Sequence, residues 1–415
     1  MTADRGEDSA PRKMPLGPGL LVTAAFIGPG TVITASRAGT EFGCELLWTI
    51  LLASVGTILL QSLAARLGIE TGSGLSEAIR STLFGTKWLL PTLALILLAI
   101  GFGNAAYQTG NLTGAVVGVT GLFGGSAKIW VALLAVIVIA LMGFGKDKLL
   151  QRTLVVLVCV LSLAFLITAA IALPAPDRIL KGMLVPKVTT ANLSLVVALI
   201  GTTIVPYNLF LHASRSATTW KDTPRNLALR SSRIDTVFSI SLGGLLTAAI
   251  MLTASSAFHD QGTTWTSPDQ IAIQLRPTLG ALSGVTFALG LFAAGLTSAI
   301  TAPLATAYAV CGCLGWSTQT DSRRFRGIAI LIVLVGTLAA IFLDASPVST
   351  IVAAQVANGL LLPIVAIIML LIVQRQAKMH HREMSTPSIA AAWTVVSLIG
   401  ALGLWRMITG VLKLF

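Results

Sequence analysis

Two stretches interrupt apolar runs with residues that can present bare backbone, and any chemistry is to be sought there. Phe26-Ile27-Gly28-Pro29-Gly30-Thr31 lies inside an apolar run from Gly17 to about Gly39, long enough to cross a bilayer. Pro29 removes an amide donor and the two flanking glycines are flexible, so a helix should stop there. Gly28 is also a candidate for positive φ, where an Asp would be strained. A second run, from Asn192 to about Ser214, carries Gly201-Thr202-Thr203-Ile204-Val205-Pro206-Tyr207-Asn208, again a break at mid-span. Pro and Gly are common in membrane helices, so one break alone says little. A pair in corresponding halves of a membrane protein is the sequence sign of a transporter's substrate site. Unwound backbone survives at membrane depth only where it is buried or lines a cavity. The helix starts beyond it offer amides to an anion. The chemistry expected is therefore binding and transport, not catalysis. No cofactor is implied.

The elements that must position these breaks follow from composition. The chain has 415 residues, 55% hydrophobic and 11% charged, where a soluble domain carries roughly 25% charged residues. A polytopic membrane protein is implied. The net charge of +12 does not point to nucleic acid, because the basic residues punctuate the ends of apolar runs instead of forming a patch. Cys44, Cys159, Cys311 and Cys313 lie in or beside apolar runs without metal-ligand spacing, and read as small apolar filler. No nucleotide-binding loop is visible, which argues against ATP-driven transport.

Eleven spans are expected, near 17–40, 46–67, 90–120, 128–144, 153–173, 192–214, 232–258, 281–313, 327–343, 348–373 and 389–412. The stretch 1–14 reads as a polar tail and not a cleavable signal. With the N-terminus cytoplasmic, the inside segments hold 20 of the 28 Lys and Arg, which favours N-terminus in and C-terminus out across the plasma membrane. Spans 1 and 6 then enter from opposite sides, as an inverted five-plus-five repeat requires. The whole chain, 1–415, reads as one transporter domain: a first repeat over 17–173, a second over 192–373, and an extra helix at 389–412.

Laid side by side, these stretches resemble the Nramp family of proton-coupled divalent-metal transporters. Gly17-Pro18-Gly19 and the Gly28-Pro29-Gly30-Thr31 break are similar to the family's first span, whose break reads Asp-Pro-Gly-Asn. Arg66-Leu67-Gly68 with Thr71-Gly72 resembles its second-span exit. Pro206-x-Asn208-Leu209-Phe210-Leu211-His212 resembles the sixth-span signature, Met-Pro-His-Asn-Leu-Tyr-Leu-His. Phe287-Ala288-Leu289-Gly290 through Thr301 is similar to the eighth span, and Gln355-Val356 with Leu362-Pro363 to the tenth. The resemblance implies an all-α integral membrane protein of the leucine-transporter fold, with eleven transmembrane helices and broken helices 1 and 6.

It also implies a site. In the family the first-span Asp and Asn, the sixth-span Met and a nearby backbone carbonyl hold the metal, and a tenth-span Gln assists. Here those positions are Gly28, Thr31 and Val205, and only the carbonyl of Thr202 and Gln355 carry over. The soft thioether and the charge-offsetting carboxylate are both missing. The family's two third-span acids fall at Gln108 and Asn111, and its sixth-span His at Tyr207; none of these replacements titrates near neutral pH. Asn208 and Thr247, the latter where the family often has Asn, complete the pathway candidates, and Asp235 is kept. Each has a plainer reading. Gln355 is a helix–helix hydrogen-bonding residue, Gln108 and Asn111 are structural amides, Tyr207 plugs a disused passage, and His212 is a packed histidine. Glu41 and Glu45 read as a solvated loop or a cation-attracting vestibule, and Arg37 as a solvent-facing charge or an anion contact.

The expected function is Nramp-like secondary transport by alternating access, with divalent cations the substrate class by family. Selectivity for transition metals and proton coupling are expected to be lost, which leaves a cation carried with part of its water shell, such as magnesium. The alternative is a small non-metal solute such as an organic anion in the same midplane site. A second alternative is a non-transporting membrane sensor on a transporter scaffold. The partners implied are membrane lipid and the transported solute.

Overall fold

The computed structural model describes residues 28–144, 148–343, 345–379 and 386–412. The polar tail 1–14 and the first half of span 1 lie outside the described residues. All regular elements among the described residues are helical. The second half of span 1 is α1 (Pro29–Phe42). Span 2 is α2 (Leu47–Thr71), followed by the short amphipathic α3 (Leu75–Leu83) and by span 3, α4 (Leu89–Phe123). Spans 4 and 5 are α5 (Ala127–Phe144) and α6 (Lys148–Ile171), and α7 (Pro176–Leu184) lies beyond them. Span 6 is split into α8 (Leu193–Thr203) and α9 (Pro206–Thr219). Spans 7 to 11 are α10 (Arg225–Ala257), α11 (Ser283–Leu314), α12 (Arg323–Phe342), α13 (Pro347–Met379) and α14 (Thr386–Val411).

Local chemistry accounts for several of the starts. Pro29, Pro176 and Pro206 occupy first-turn positions, where a missing amide costs nothing. The α3 start is held by Glu77, whose Oε2 accepts from the Gly74 amide at 2.6 Å. Nine helices among the described residues are long and apolar enough to cross a membrane, with α8 and α9 taken together as one. Outward faces are apolar too: Leu90, Leu98 and Phe102 on α4, and Ile129 and Val136 on the shorter apolar α5, are exposed. In water that surface would be a liability; against lipid chains it is the expected facing.

The helices fall into two groups. Helices α1, α2, α8, α9 and α10 pack on one another, while α4 packs most extensively on α11 and also on α12 and α13. Helix α13 touches both groups, through α8 and α1 on one side and α4 on the other. The α8–α13 contact is backbone-close. A Cβ on Gly201 would collide with the Gln355 carbonyl, and one on Gly359 with the Val197 carbonyl, so only glycine fits at either place. This approach brings the sixth-span break against the middle of α13.

Candidate functional site

The first break begins at Gly28, which caps α1 with extended backbone (φ −112°, ψ −176°). The expectation of positive φ there is corrected: any residue can adopt this conformation. The second break is the pair Ile204-Val205, with φ −102° and −84° and ψ 82° and 123°, between the last turn of α8 and Pro206. Neither start has a side-chain cap among the described residues; the Thr31 and Asn208 amides donate to Gly28 O and Val205 O, which leaves the Gly30 and Tyr207 amides for another acceptor.

The two breaks meet. Thr31 Oγ1 lies 2.8 Å from Thr202 Oγ1, a hydrogen bond between hydroxyls 171 residues apart in sequence. Gln355 of α13 lays its side-chain amide over Gly30, in the space a Cβ would occupy, and its Oε1 finds no hydrogen-bond partner among the described residues. Thr31, Thr202, Val205 and Gln355 are buried. The structure therefore brings Gly28, Thr31, Thr202 and Gln355 into one locus, with Val205 at the neighbouring helix start.

Residues not singled out from the sequence complete it. A Cβ on Gly28 would stand 2.8 Å from Ser298 Oγ of α11 and 3.7 Å from the Tyr107 hydroxyl of α4. Tyr107 in turn packs edge-on against Tyr207, ring centroids 5.6 Å apart. The room for a first-span carboxylate is thus partly taken by Ser298 and Tyr107. Asn358, one turn beyond Gln355, is buried with both amide atoms unpartnered among the described residues. Its spacing from Gln355 was the one available signal, since residues three apart share a helix face.

The pathway candidates divide. Tyr207 and Asn208 sit in the first turn of α9, and both amide atoms of Asn208 and of Asn111 lack a partner among the described residues. Gln108 donates from Nε2 to the Ala299 carbonyl at 3.1 Å, which is the structural-amide role. Thr247 donates to Gly243 O of its own helix at 2.9 Å and contributes no free hydroxyl proton to the locus. His212 is buried and linked to Thr236 of α10 at 3.2 Å. Toward the Phe42 end of α1, Glu41 pairs with Arg37 at 2.6 Å, and beyond it Glu45 pairs with Lys187 at 2.6 Å.

The donor set is neutral oxygen and amide throughout. Among the described residues no group of three or more His, Cys, Asp or Glu comes together to hold a metal. A bare divalent ion has no charge to meet here, whereas a hydrated ion or a polar solute meets hydroxyls and amides that hydrogen-bond to water or to the solute itself.

The sequence profile of the family described as Natural resistance-associated macrophage protein-like matches residues 19–409. A divalent metal cation transporter MntH of Bradyrhizobium diazoefficiens is 32% identical over 404 residues, covering 94% of this chain and 88% of that protein. MntH 1 of Pseudomonas aeruginosa is 33% identical over 351 residues, covering 80% and 78%. Among solved structures, a point mutant of the Eremococcus coleocola manganese transporter superposes with a TM-score of 0.73 at 23% identity, over 94% of this chain and 85% of that one. MhsT in complex with L-phenylalanine gives 0.61 at 16%, over 95% and 98%. These likenesses carry the leucine-transporter fold. The chain belongs to the Nramp family of membrane transporters.

Proposed function

We propose that this protein is a secondary transporter that carries a divalent cation with part of its hydration shell, and that it neither selects transition metals nor couples to protons by the family's usual route. The observation that carries the reading is the neutral locus across the two breaks: the Thr31–Thr202 hydroxyl pair and the unpartnered Gln355 Oε1, with Gly28 and Val205 where a carboxylate and a thioether would be. Metal transport as a class comes from relatives named divalent metal cation transporters. Neutral oxygens suit magnesium, which keeps several waters, better than manganese or cadmium, which favour ligands this site lacks. The chain sits in the plasma membrane with its N-terminus inside and C-terminus outside, its repeats at 17–173 and 192–373, and alternates access as α1, α2, α8, α9 and α10 rock against the rest.

The test is flux into liposomes read with an internal magnesium-sensitive dye. Protein-dependent magnesium uptake that falls at least severalfold in Gln355→Ala is expected, with manganese binding no tighter than ~1 mM. Calorimetry giving micromolar manganese affinity that vanishes in Gln355→Ala overturns the reading. Lumenal pH recorded in the same vesicles is expected to stay flat during uptake, and an imposed pH gradient is expected not to drive it. A proton flux that tracks substrate flux would reveal another relay. The uncapped starts of α1 and α9 favour a second reading, a small organic anion held by first-turn amides. A Gln355-dependent thermal shift with such an anion, in the absence of any divalent flux, would select it.

A further inference from the structure

A second polar cavity, away from the breaks, has charges that do not balance. At the Phe42 end of α1 a crevice of about 400 Å³ opens between α1, the start of α8, α13 and α14, and Arg37, Glu41, Ser194, Ser349 and Arg406 supply its polar lining. Two guanidiniums thus face one carboxylate. That carboxylate is already engaged, since Glu41 Oε1 accepts from Arg37 Nε at 2.6 Å. Arg406 has no acidic partner among the described residues. Its Nε is buried without a hydrogen-bond partner among the described residues, and the guanidinium lies beside Gly410 of its own helix. A buried N–H left unmade is costly, and guanidinium donors are arranged as a fork that fits a planar oxyanion.

The opposite wall adds to the same polarity. Ser194 and Leu195 lie in the first turn of α8, where amides lack intrahelical acceptors and the helix dipole is positive. The turn bonds at this start run from the Leu193 amide to Thr189 O and from the Val196 amide to Asn192 O, on either side of them. Hydroxyls of Ser194 and Ser349 complete a lining that donates more than it accepts.

We propose that this crevice is an oxyanion site, taking a carboxylate or phosphate group on Arg406 with Arg37 and the α8 start as its second and third contacts. Two sources share that chemistry. One is a small free anion, for which the volume is ample. The other is an anionic lipid headgroup, reached because Leu404, Met407 and Ile408 beside Arg406 are exposed apolar residues on α14. The site is separate from the cargo locus and its occupancy is read by binding, so its failure leaves the cargo reading untouched.

The experiment measures melting temperature of the purified full chain in neutral detergent against inorganic phosphate and succinate, with sodium chloride at matched ionic strength as reference. A saturable rise with phosphate or succinate, absent with chloride and at least tenfold weaker in Arg406→Gln, is expected. In a parallel arm, nanodiscs of phosphatidylglycerol are compared with phosphatidylcholine. An Arg406-dependent rise there alone assigns the oxyanion to a headgroup. Ala353→Glu, on an exposed part of the crevice wall, places an internal carboxylate in the cavity. It is expected to abolish the response while keeping the fold, which covers the case of an unstable Arg406→Gln. No saturable response in either arm, or a response undiminished in Ala353→Glu, overturns the proposal.

Discussion

At the first break the chain supplies no side chain at two of four positions, and neighbouring helices fill the space. The Gln355 amide covers Gly30, and Ser298 Oγ and the Tyr107 hydroxyl close on Gly28. At the second break the chain fills its own space with Ile204, Val205 and Tyr207, all buried. The first begins at the extended Gly28 and the second is the extended pair Ile204-Val205, yet one is occupied from outside and the other from within. A side chain restored at the second break replaces one already there. A side chain restored at the first must move something that belongs to another helix.

The sharpest way to break that contrast is to rebuild both breaks at once. Gly28→Asp, Thr31→Asn and Val205→Met returns a carboxylate, an amide oxygen and a thioether. With φ −112° at Gly28 the backbone accepts Asp, so the obstacle is Ser298 Oγ, a short side chain that can turn. Manganese binding is expected to pass from millimolar to micromolar, about 4 kcal/mol, and to depend on Gln355. Gly28→Asp alone should do far less, since a lone buried carboxylate takes up a proton instead. Adding Ser298→Ala to the triple change should tighten manganese further. Calorimetry on the folded triple variant decides it: no manganese binding, with or without Ser298→Ala, would mean the cavity differs from the family's by more than three side chains.

Next in size are two glycine changes that differ only in what they strike. A methyl at Gly201 meets backbone, the Gln355 carbonyl and the Gly359 amide nitrogen, which cannot move without shifting α8 from α13. Gly201→Ala is expected to cost roughly 1–3 kcal/mol of stability. The nearest atoms a methyl at Gly30 meets all belong to the Gln355 side chain, which can swing away. Gly30→Ala should therefore melt closer to the parent while losing substrate binding, because Gln355 has been displaced. Equal melting temperatures for the two variants would remove the distinction between backbone-filled and side-chain-filled space.

How much of this was legible in the sequence depends on range. The breaks were, because Pro and Gly act on their own backbone, and so were the apolar spans. Gln355 entered as a site residue only through the family resemblance, since nothing local marks it among other amides, and its place over Gly30 came from the structure. Ser298 and Tyr107 were out of reach, since they arrive at Gly28 from helices 270 and 79 positions away, and a serine or tyrosine in a membrane helix carries no local sign of its partner. Thr247 shows the converse: its place in the alignment suggested a pathway role, yet its hydroxyl proton goes to the preceding turn of its own helix, an option open to any helical threonine.

The smallest effect concerns a bond that joins the two breaks directly. Thr31 Oγ1 and Thr202 Oγ1 are 2.8 Å apart and buried, so replacing either hydroxyl by a methyl takes this bond from the other. Thr31→Val and Thr202→Val should each destabilise by ~1 kcal/mol, and the double variant by little more than one of them, because removing both hydroxyls strands neither. A coupling of about 1 kcal/mol in a double-mutant cycle, measured by denaturation in detergent, would place the two breaks in direct energetic contact. Additive costs would mean that each hydroxyl is satisfied elsewhere, and that the neutral locus is two half-sites sharing a wall. The cycle also bears on the cargo. If the hydroxyl pair turns outward to grip a hydrated cation, the coupling should shrink in saturating magnesium, since water of hydration then replaces each partner.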